Sequence, residues 1–269
     1  VTKQWVPFGI LPEREIQRAV QCTILVITSP SFSCQDANRL SRTVDKYAMD
    51  SWSRLRSIVI YGTRMGPSGL RHIINLGISH LNTLTIGYTS MTHHFGGYIG
   101  GQLMQSDIFR STRSLPQTIQ TSMNISLYKI YIEQEPLFGD RGVTSLLKCL
   151  QANHSVKVLV FRGCNITNRG ATACAKFIGY SKTIEIINLG ENCLSRDGYL
   201  SLIRAVAGKG FRGKLQNVSI CDQTPGYSSH EELLELYKIG NELGVKMVSN
   251  DITAVEETKY ELSERKNTD

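Results

Sequence analysis

The sequence predicts an α/β solenoid, in which short parallel strands stack side by side into a curved inner sheet and a helix follows each strand on the outside. Three observations carry this. Gly142, Gly170 and Gly198 recur every 28 residues. Each follows a short aliphatic strand, reading Leu127-x-x-Ile130-x-Ile132, Val156-x-x-Leu159-x-Phe161 and Ile184-x-x-Ile187-x-Leu189, with the glycine nine or ten residues after the last apolar position. Each is followed by a helix-like stretch: Val143 to Gln151, Ala171 to Tyr180 and Tyr199 to Ala207. A period between about 20 and 50 residues marks stacked supersecondary units that bury one continuous core.

The same template fits weaker stretches in chain order. Ile24 to Ile27 is a degenerate first strand. Leu55-x-x-Ile58-x-Ile60 is followed nine residues later by Gly69, and Leu81-x-x-Leu84-x-Ile86 by Gly96 after ten. Leu215-x-x-Val218-x-Ile220 keeps the strand and loses the glycine. Ser229 then opens a capped helix, with Glu231 and Glu232 in its first turn and Gly244 at its end, and Val245 to Val248 reads as one more strand. The predicted organisation is an amino-terminal extension or cap over 1–22, a solenoid over 23–249 with an insertion around 87–123 and a closing cap over 225–249, and a charged tail over 250–269. The insertion follows from spacing, because Leu81 to Leu127 is 46 residues, 18 more than the 28-residue unit. A long excursion on a regular scaffold is often functional; a diverged repeat would give the same spacing.

Each part of the motif has a physical role. Apolar residues at the first, fourth and sixth places of the strand point between strand and helix, and the interleaved residues point the other way. The ninth place is Cys164 and Asn192 in the two best units, where a small polar or thiol group can pair the backbone as the chain leaves the strand. The glycine admits the chain into its helix where a side chain would clash. Ala171, Cys174, Ala175 and Ile178 share one stripe of the second helix.

At these residues the chain resembles the leucine-rich repeat family, and within it the ribonuclease-inhibitor-like subclass. The matching segments are Leu159-Val-Phe-Arg-Gly-Cys-Asn-Ile-Thr-Asn-Arg-Gly-Ala and Ile187-Ile-Asn-Leu-Gly-Glu-Asn-Cys-Leu-Ser-Arg-Asp-Gly. The resemblance is strong from Leu127 to Ala207 and fair from Leu55 to Gly96. It implies a curved right-handed solenoid with a parallel sheet inside and helices outside. It does not imply one function, since the fold serves inhibitors, GTPase activators, ubiquitin-ligase receptors and structural subunits alike.

Composition agrees with a folded chain. At 41% hydrophobic and 20% charged residues, 269 residues can bury a continuous core. No stretch approaches the ~18 consecutive apolar residues of a membrane helix. The chain begins at Val1, and its first twenty residues lack the apolar centre of a secretory signal, which predicts a processed protein or a fragment; removal of a mitochondrial presequence would also account for the basic pI of about 9.0. Seven cysteines form no disulfide framework. Cys149, Cys164, Cys174 and Cys193 read as small buried hydrophobes in a reducing intracellular compartment, mitochondrial or cytoplasmic and ciliary. Cys22 and Cys34 have no accompanying histidine, and the adjacent His93 and His94 do not share a helix face, so no metal or other cofactor is expected. Residues 1–130 hold 13 Lys and Arg against 6 Asp and Glu, a surplus that fits an acidic protein face, nucleic acid or anionic lipid. No nucleic-acid motif or stacking aromatics accompany it, so nucleic acid is not the favoured partner.

A solenoid binds on its concave sheet. The third, fifth and seventh strand places put Tyr61, Lys129, Tyr131, Glu133, Val158, Val160, Arg162, Ile186 and Asn188 there. Tyr131, Val158, Val160 and Ile186 are expected to form an exposed apolar patch rimmed by Lys129, Glu133 and Arg162, the pattern of a protein contact. No nucleophile–base constellation accompanies it. The expected function is a non-catalytic protein-interaction module, a structural or accessory subunit of a multi-subunit complex. The alternatives are a GTPase-activating or other regulatory repeat protein and a basic RNA-associated subunit.

Overall fold

The computed structural model describes residues 3–5, 23–47, 55–77, 81–111, 127–151, 153–207, 214–220, 223, 238–239, 242 and 246–248. Among these, nine strands form a single sheet in sequential order: β1 (Lys3–Trp5), β2 (Ile24–Ile27), β3 (Ser57–Tyr61), β4 (Thr83–Gly87), β5 (Lys129–Glu133), β6 (Val158–Arg162), β7 (Ile186–Asn188), β8 (Asn217–Ser219) and β9 (Lys246–Val248). Every adjacent pair is parallel. Neighbouring parallel strands need a crossover, and six described helices supply those from β2 to β8: α1 (Cys34–Tyr47), α2 (Gly66–Gly77), α3 (His94–Ser111), α4 (Gly139–Leu150), α5 (Asn168–Tyr180) and α6 (Arg196–Ala207). The result is an α/β solenoid, a curved parallel sheet with its helices outside.

The core lies between sheet and helices, where the alternation of the strands placed it. Ile58, Ile60, Leu84, Ile86, Ile130, Ile132, Leu159, Phe161 and Ile187 are fully buried, each contributing about 1.5–3 kcal/mol. They meet the apolar stripes of the helices, Val143, Leu146, Leu147 and Leu150 on α4 and Ala171, Cys174, Ala175 and Ile178 on α5.

Polar side chains 28 residues apart make the same bonds in successive units, which is why the period is so regular here. Asn153 and Ser181 each turn the chain into its strand: Asn153 Oδ1 accepts from Ser155 N and Val156 N at 3.0 and 2.8 Å, and Ser181 Oγ accepts from Ile184 N at 3.2 Å. Asp140 and Asn168 each hold the start of the next unit's helix. Asp140 accepts from Thr167 N, Thr167 Oγ1 and Gly170 N at 2.7–2.9 Å, and Asn168 Oδ1 accepts from Ser195 N at 3.0 Å. A carboxylate at a helix amino terminus also meets the positive end of its dipole.

Several boundaries differ from the sequence reading. The helices begin three or four residues earlier than expected, at Gly139, Asn168 and Arg196 rather than Val143, Ala171 and Tyr199. The recurring glycine therefore sits inside the first turn. Its role is close approach: a Cβ on Gly96 would collide with the backbone carbonyl of Gly142 in the neighbouring helix, and one on Gly170 would lie 2.5 Å from Asp140 Oδ1. Part of the stretch read as an insertion, 94–111, is α3, which packs on α4; the remaining excess, 112–126, lies outside the described residues. β1 lies within the stretch read as an amino-terminal extension or cap and pairs with β2. The helix expected from Ser229 and the tail over 250–269 fall largely or wholly outside the described residues.

Candidate protein-binding face

The register aligns the outward residues into rows across the sheet. One row runs Thr83, Lys129, Val158, Ile186 and the next Thr85, Tyr131, Val160, Asn188. A third, at the carboxyl ends of the strands, runs Tyr61, Gly87, Glu133, Arg162. The nine residues named from the sequence fall in these three rows. Arg162 is exposed, while Tyr61, Lys129, Tyr131, Glu133, Ile186 and Asn188 are half-buried.

The apolar patch is not exposed as expected. Val158 and Val160 are only 9% and 6% accessible, although neither belongs to the core on the other side of the sheet. The reason is geometric. Strands lie about 4.8 Å apart, and Val160 sits between Tyr131 and Asn188, Val158 between Lys129 and Ile186. Longer neighbours on a concave surface converge over a short side chain. What the sheet offers to a partner is therefore Tyr131, Lys129 and Ile186, with the valines beneath.

The row at the strand ends is the more elaborate part. Gly87 has no side chain, and the Tyr61 ring occupies the space a Cβ there would need, reaching toward Glu133. Burial, and after it the negative charge of Glu133, pushes the Tyr61 phenol up from its ordinary pKa. Tyr88 packs edge-on against Tyr61, with ring centroids 5.1 Å apart and planes at 66°. Tyr88 is 54% exposed and has φ of +51°, an unusual conformation for a bulky residue. Further along, the Arg162 guanidinium bonds Glu191 Oε1 at 2.5 Å, and the Gln134 amide donates to the other oxygen of Glu191. Asn188 is committed to its own turn, accepting from Gly190 N at 2.8 Å.

Tyr88, Gln134 and Glu191 were missed in the sequence because they follow the strand rather than alternate within it. What they share is a backbone conformation, which the sequence does not display. Gly62, Tyr88, Gln134 and Gly163 all come directly after the seventh strand place, and all have positive φ. Two are glycines; Tyr88, Gln134 and, at the same place after β7, Glu191 hold the same conformation with a side chain attached, so it belongs to the turn that every unit makes there.

Behind this edge runs a ladder of ninth-place side chains. Asn192 Oδ1 accepts from Cys164 N and Ile166 N at 2.9 and 3.0 Å, and its Nδ2 donates to the carbonyls of Phe161, Leu189 and Gly190 at 2.6–2.9 Å. Cys164 Sγ donates to the Ile132 carbonyl at 3.2 Å. Alignment extends the place to Glu135 and Gln223. Glu135, fully buried, accepts from Thr89 N, Thr89 Oγ1 and Met91 N at 2.5–2.7 Å, and Gln223 Oε1 accepts from Leu194 N at 3.0 Å. Of the cysteines expected to be buried, Cys164 and Cys174 are, whereas Cys149 and Cys193 are partly accessible because they fall beside the core stripe rather than on it. Among the described residues no group of three His, Cys, Asp or Glu comes together to hold a metal, and no helix is long and apolar enough to cross a membrane.

No family profile matches the chain. A stretch of 82 residues, 30% of the chain, is 29% identical to the ribonuclease inhibitor of Mus musculus. The chain spans 18% of the length of that curated relative. Among solved structures, the actin-binding site 2 of leiomodin-1 aligns with a TM-score of 0.37 and 16% identity over 51% of this chain and 86% of that one. A chain of the yeast Rad7–Elc1 complex aligns with a TM-score of 0.29 and 10% identity over 90% of this chain and 79% of that one. From its sequential parallel sheet, outer helices and 28-residue polar ladders the chain folds as a leucine-rich repeat solenoid, and one stretch of it resembles ribonuclease inhibitor.

Proposed function

We propose that this solenoid is a non-catalytic protein-interaction module, a structural or accessory subunit of a larger assembly, that receives a protein partner on its concave sheet. The observation that carries this reading is the Tyr88–Tyr61–Glu133–Arg162–Glu191 edge beside Tyr131 and Lys129. Tyrosine and arginine dominate the energetics of protein interfaces, and here they are gathered on one face, with Tyr88 exposed beside Tyr61. The ribonuclease inhibitor that shares a stretch of sequence is itself named for acting on another protein. Five free thiols among the described residues fit a reducing, intracellular compartment.

The structure also selects the variants. Val160→Asp would bury a charge and unfold the protein whatever the valine's role. Tyr131→Ala combined with Lys129→Glu acts on accessible side chains instead. Tagged wild-type and variant chains would be purified from cells and their co-purifying proteins identified by mass spectrometry. The expected result is loss of a defined partner with an unchanged circular dichroism spectrum and melting curve. A full set of partners retained by the folded double variant overturns the concave-face reading. Accelerated GTP hydrolysis in a panel of small GTPases would replace it with the regulatory one.

A further inference from the structure

The helices present a second surface that the concave-face reading does not use. Between α4 and α5 runs an open groove of about 830 Å³. Arg141 and Lys148 stand along one wall and Arg169 and Lys176 along the other, and all four are exposed. Within each helix the two cations are seven residues apart, close to two turns and about 10 Å. Across the groove they are related by the 28-residue repeat, Arg141 with Arg169 and Lys148 with Lys176, on helices whose axes lie about 8–10 Å apart.

Two facts separate this array from an ordinary solvated helix surface. It does not recur along the solenoid: alignment on the repeat glycines places Ser68 and Asn75 on α2, Phe95 and Gln102 on α3, and Asp197 and Arg204 on α6 at the equivalent places. It also lacks compensation. Among the described residues the single carboxylate lining the groove, Asp140, spends its oxygens on Thr167 and Gly170. The ion pairs between described residues, Lys157–Glu185 and Arg162–Glu191, involve none of the four cations.

We propose that this groove docks an acidic segment of a partner protein, with carboxylates about 10 Å apart seated between the four cations and an apolar residue packed on Leu137. Such spacing is met by residues seven apart on a helix or three apart on a strand. Leu137, at the groove mouth, is 59% exposed, one of the most exposed large apolar side chains described. It favours a peptide over a nucleic-acid backbone. Of the rings described in the groove, Phe138 and Phe177 are buried, which leaves a base the His93 imidazole alone to stack on.

The test uses fluorescein-labelled 20-residue peptides and the full chain, read by fluorescence anisotropy. One helical peptide carries glutamates at seven-residue spacing around a central leucine; a second has the same composition with the glutamates bunched at one end. A single-stranded oligothymidine of equal length is the third probe. The expected result is preferential binding of the spaced peptide. It should weaken about tenfold in the Arg141→Glu/Arg169→Glu variant, four exposed pairs each contributing a little, and also in Leu137→Ser. A lysine-for-glutamate version of the spaced peptide should then bind the charge-reversed chain better than the wild type, a gain that misfolding could not produce. Equal binding of the two acidic peptides, indifference to charge reversal, tighter binding of the oligothymidine, or no binding of any probe would each overturn the proposal.

Discussion

Asn192 and Glu135 occupy the same place in two units of the ladder, and they hold their loops by different chemistry. Asn192 is amphoteric: it accepts two backbone N–H groups of the preceding unit and donates to three carbonyls. Glu135 accepts the two corresponding N–H groups and the Thr89 hydroxyl, and as a carboxylate it has nothing to donate. Cys164, between them, donates its thiol to the carbonyl of Ile132. The regular half of the solenoid therefore has a joint indifferent to pH, and the irregular half has one that depends on a proton. The helices show a parallel contrast. In the regular half the glycines clear side-chain atoms, such as Asp140 Oδ1 for Gly170 and Asn168 Oδ1 for Gly198, whereas at the α3–α4 junction Gly96 clears backbone.

The strongest way to break the comparison is Asn192→Ala. It orphans two buried N–H groups at once and should cost about 3–5 kcal/mol in urea unfolding; a loss under 1 kcal/mol would mean water replaces the amide and the ladder is not structural. Next comes Gly96→Ala, where the added methyl meets the Gly142 carbonyl. A loss of about 2–3 kcal/mol is expected, outweighing the helix propensity gained. Its control is Gly97→Ala, whose Cβ would lie 3.9 Å from Ser145 Cβ; that change should be neutral or stabilising by up to about 1 kcal/mol. If both cost the same, close helix approach is not what the glycine provides.

The proton-dependent joint is sharpened by Glu135→Gln. Burial, the largest influence, raises the Glu135 pKa above 4.5 despite the hydrogen bonds from Thr89 and Met91 that favour its ionised form. In the window from about 4.5 up to the raised value, the folded chain keeps a proton that the unfolded chain has released. Stability contributed by this group therefore falls as pH rises through that window. The glutamine variant should lack that part of the slope, so the difference between the two chains in unfolding free energy changes with pH there and is flat below it. A constant difference from acid to neutral pH would show that folding does not move the Glu135 pKa.

The smallest effect concerns thiol rates. Burial pushes Cys164 and Cys174 up to about 12, leaving little thiolate at neutral pH, whereas Cys193 is partly accessible. Maleimide labelling of the native chain should reach Cys193 well before Cys164 or Cys174, as read by peptide mass spectrometry. Equal rates would place global opening, not local burial, in control.

Much of the scaffold was legible beforehand because its determinants are local and periodic. The aliphatic places of β5, β6 and β7 announce the core, and Cys164 and Asn192 announce the turn. Extending that alignment by one unit either way would have found Glu135 and Gln223. The candidate face was legible only as a set of positions. Alternation tells which way Val158 and Val160 point; it does not tell how much of each remains accessible once Lys129, Tyr131, Ile186 and Asn188 converge around them. Tyr88 lay outside the pattern altogether, since it follows the strand rather than alternating within it.

By itself, the sequence determined the 28-residue period, the two faces of each strand, and the residues that fill the core. Those follow from side-chain alternation and helical spacing, which act over a few residues. Only the tertiary structure decided how deep the concave valines sink, that Gly96 meets a carbonyl in the next helix, and that two arginine–lysine pairs confront each other across a groove whose described lining holds no acid free to neutralise them. Those depend on groups a whole repeat away in the chain, brought to a few ångströms by stacking.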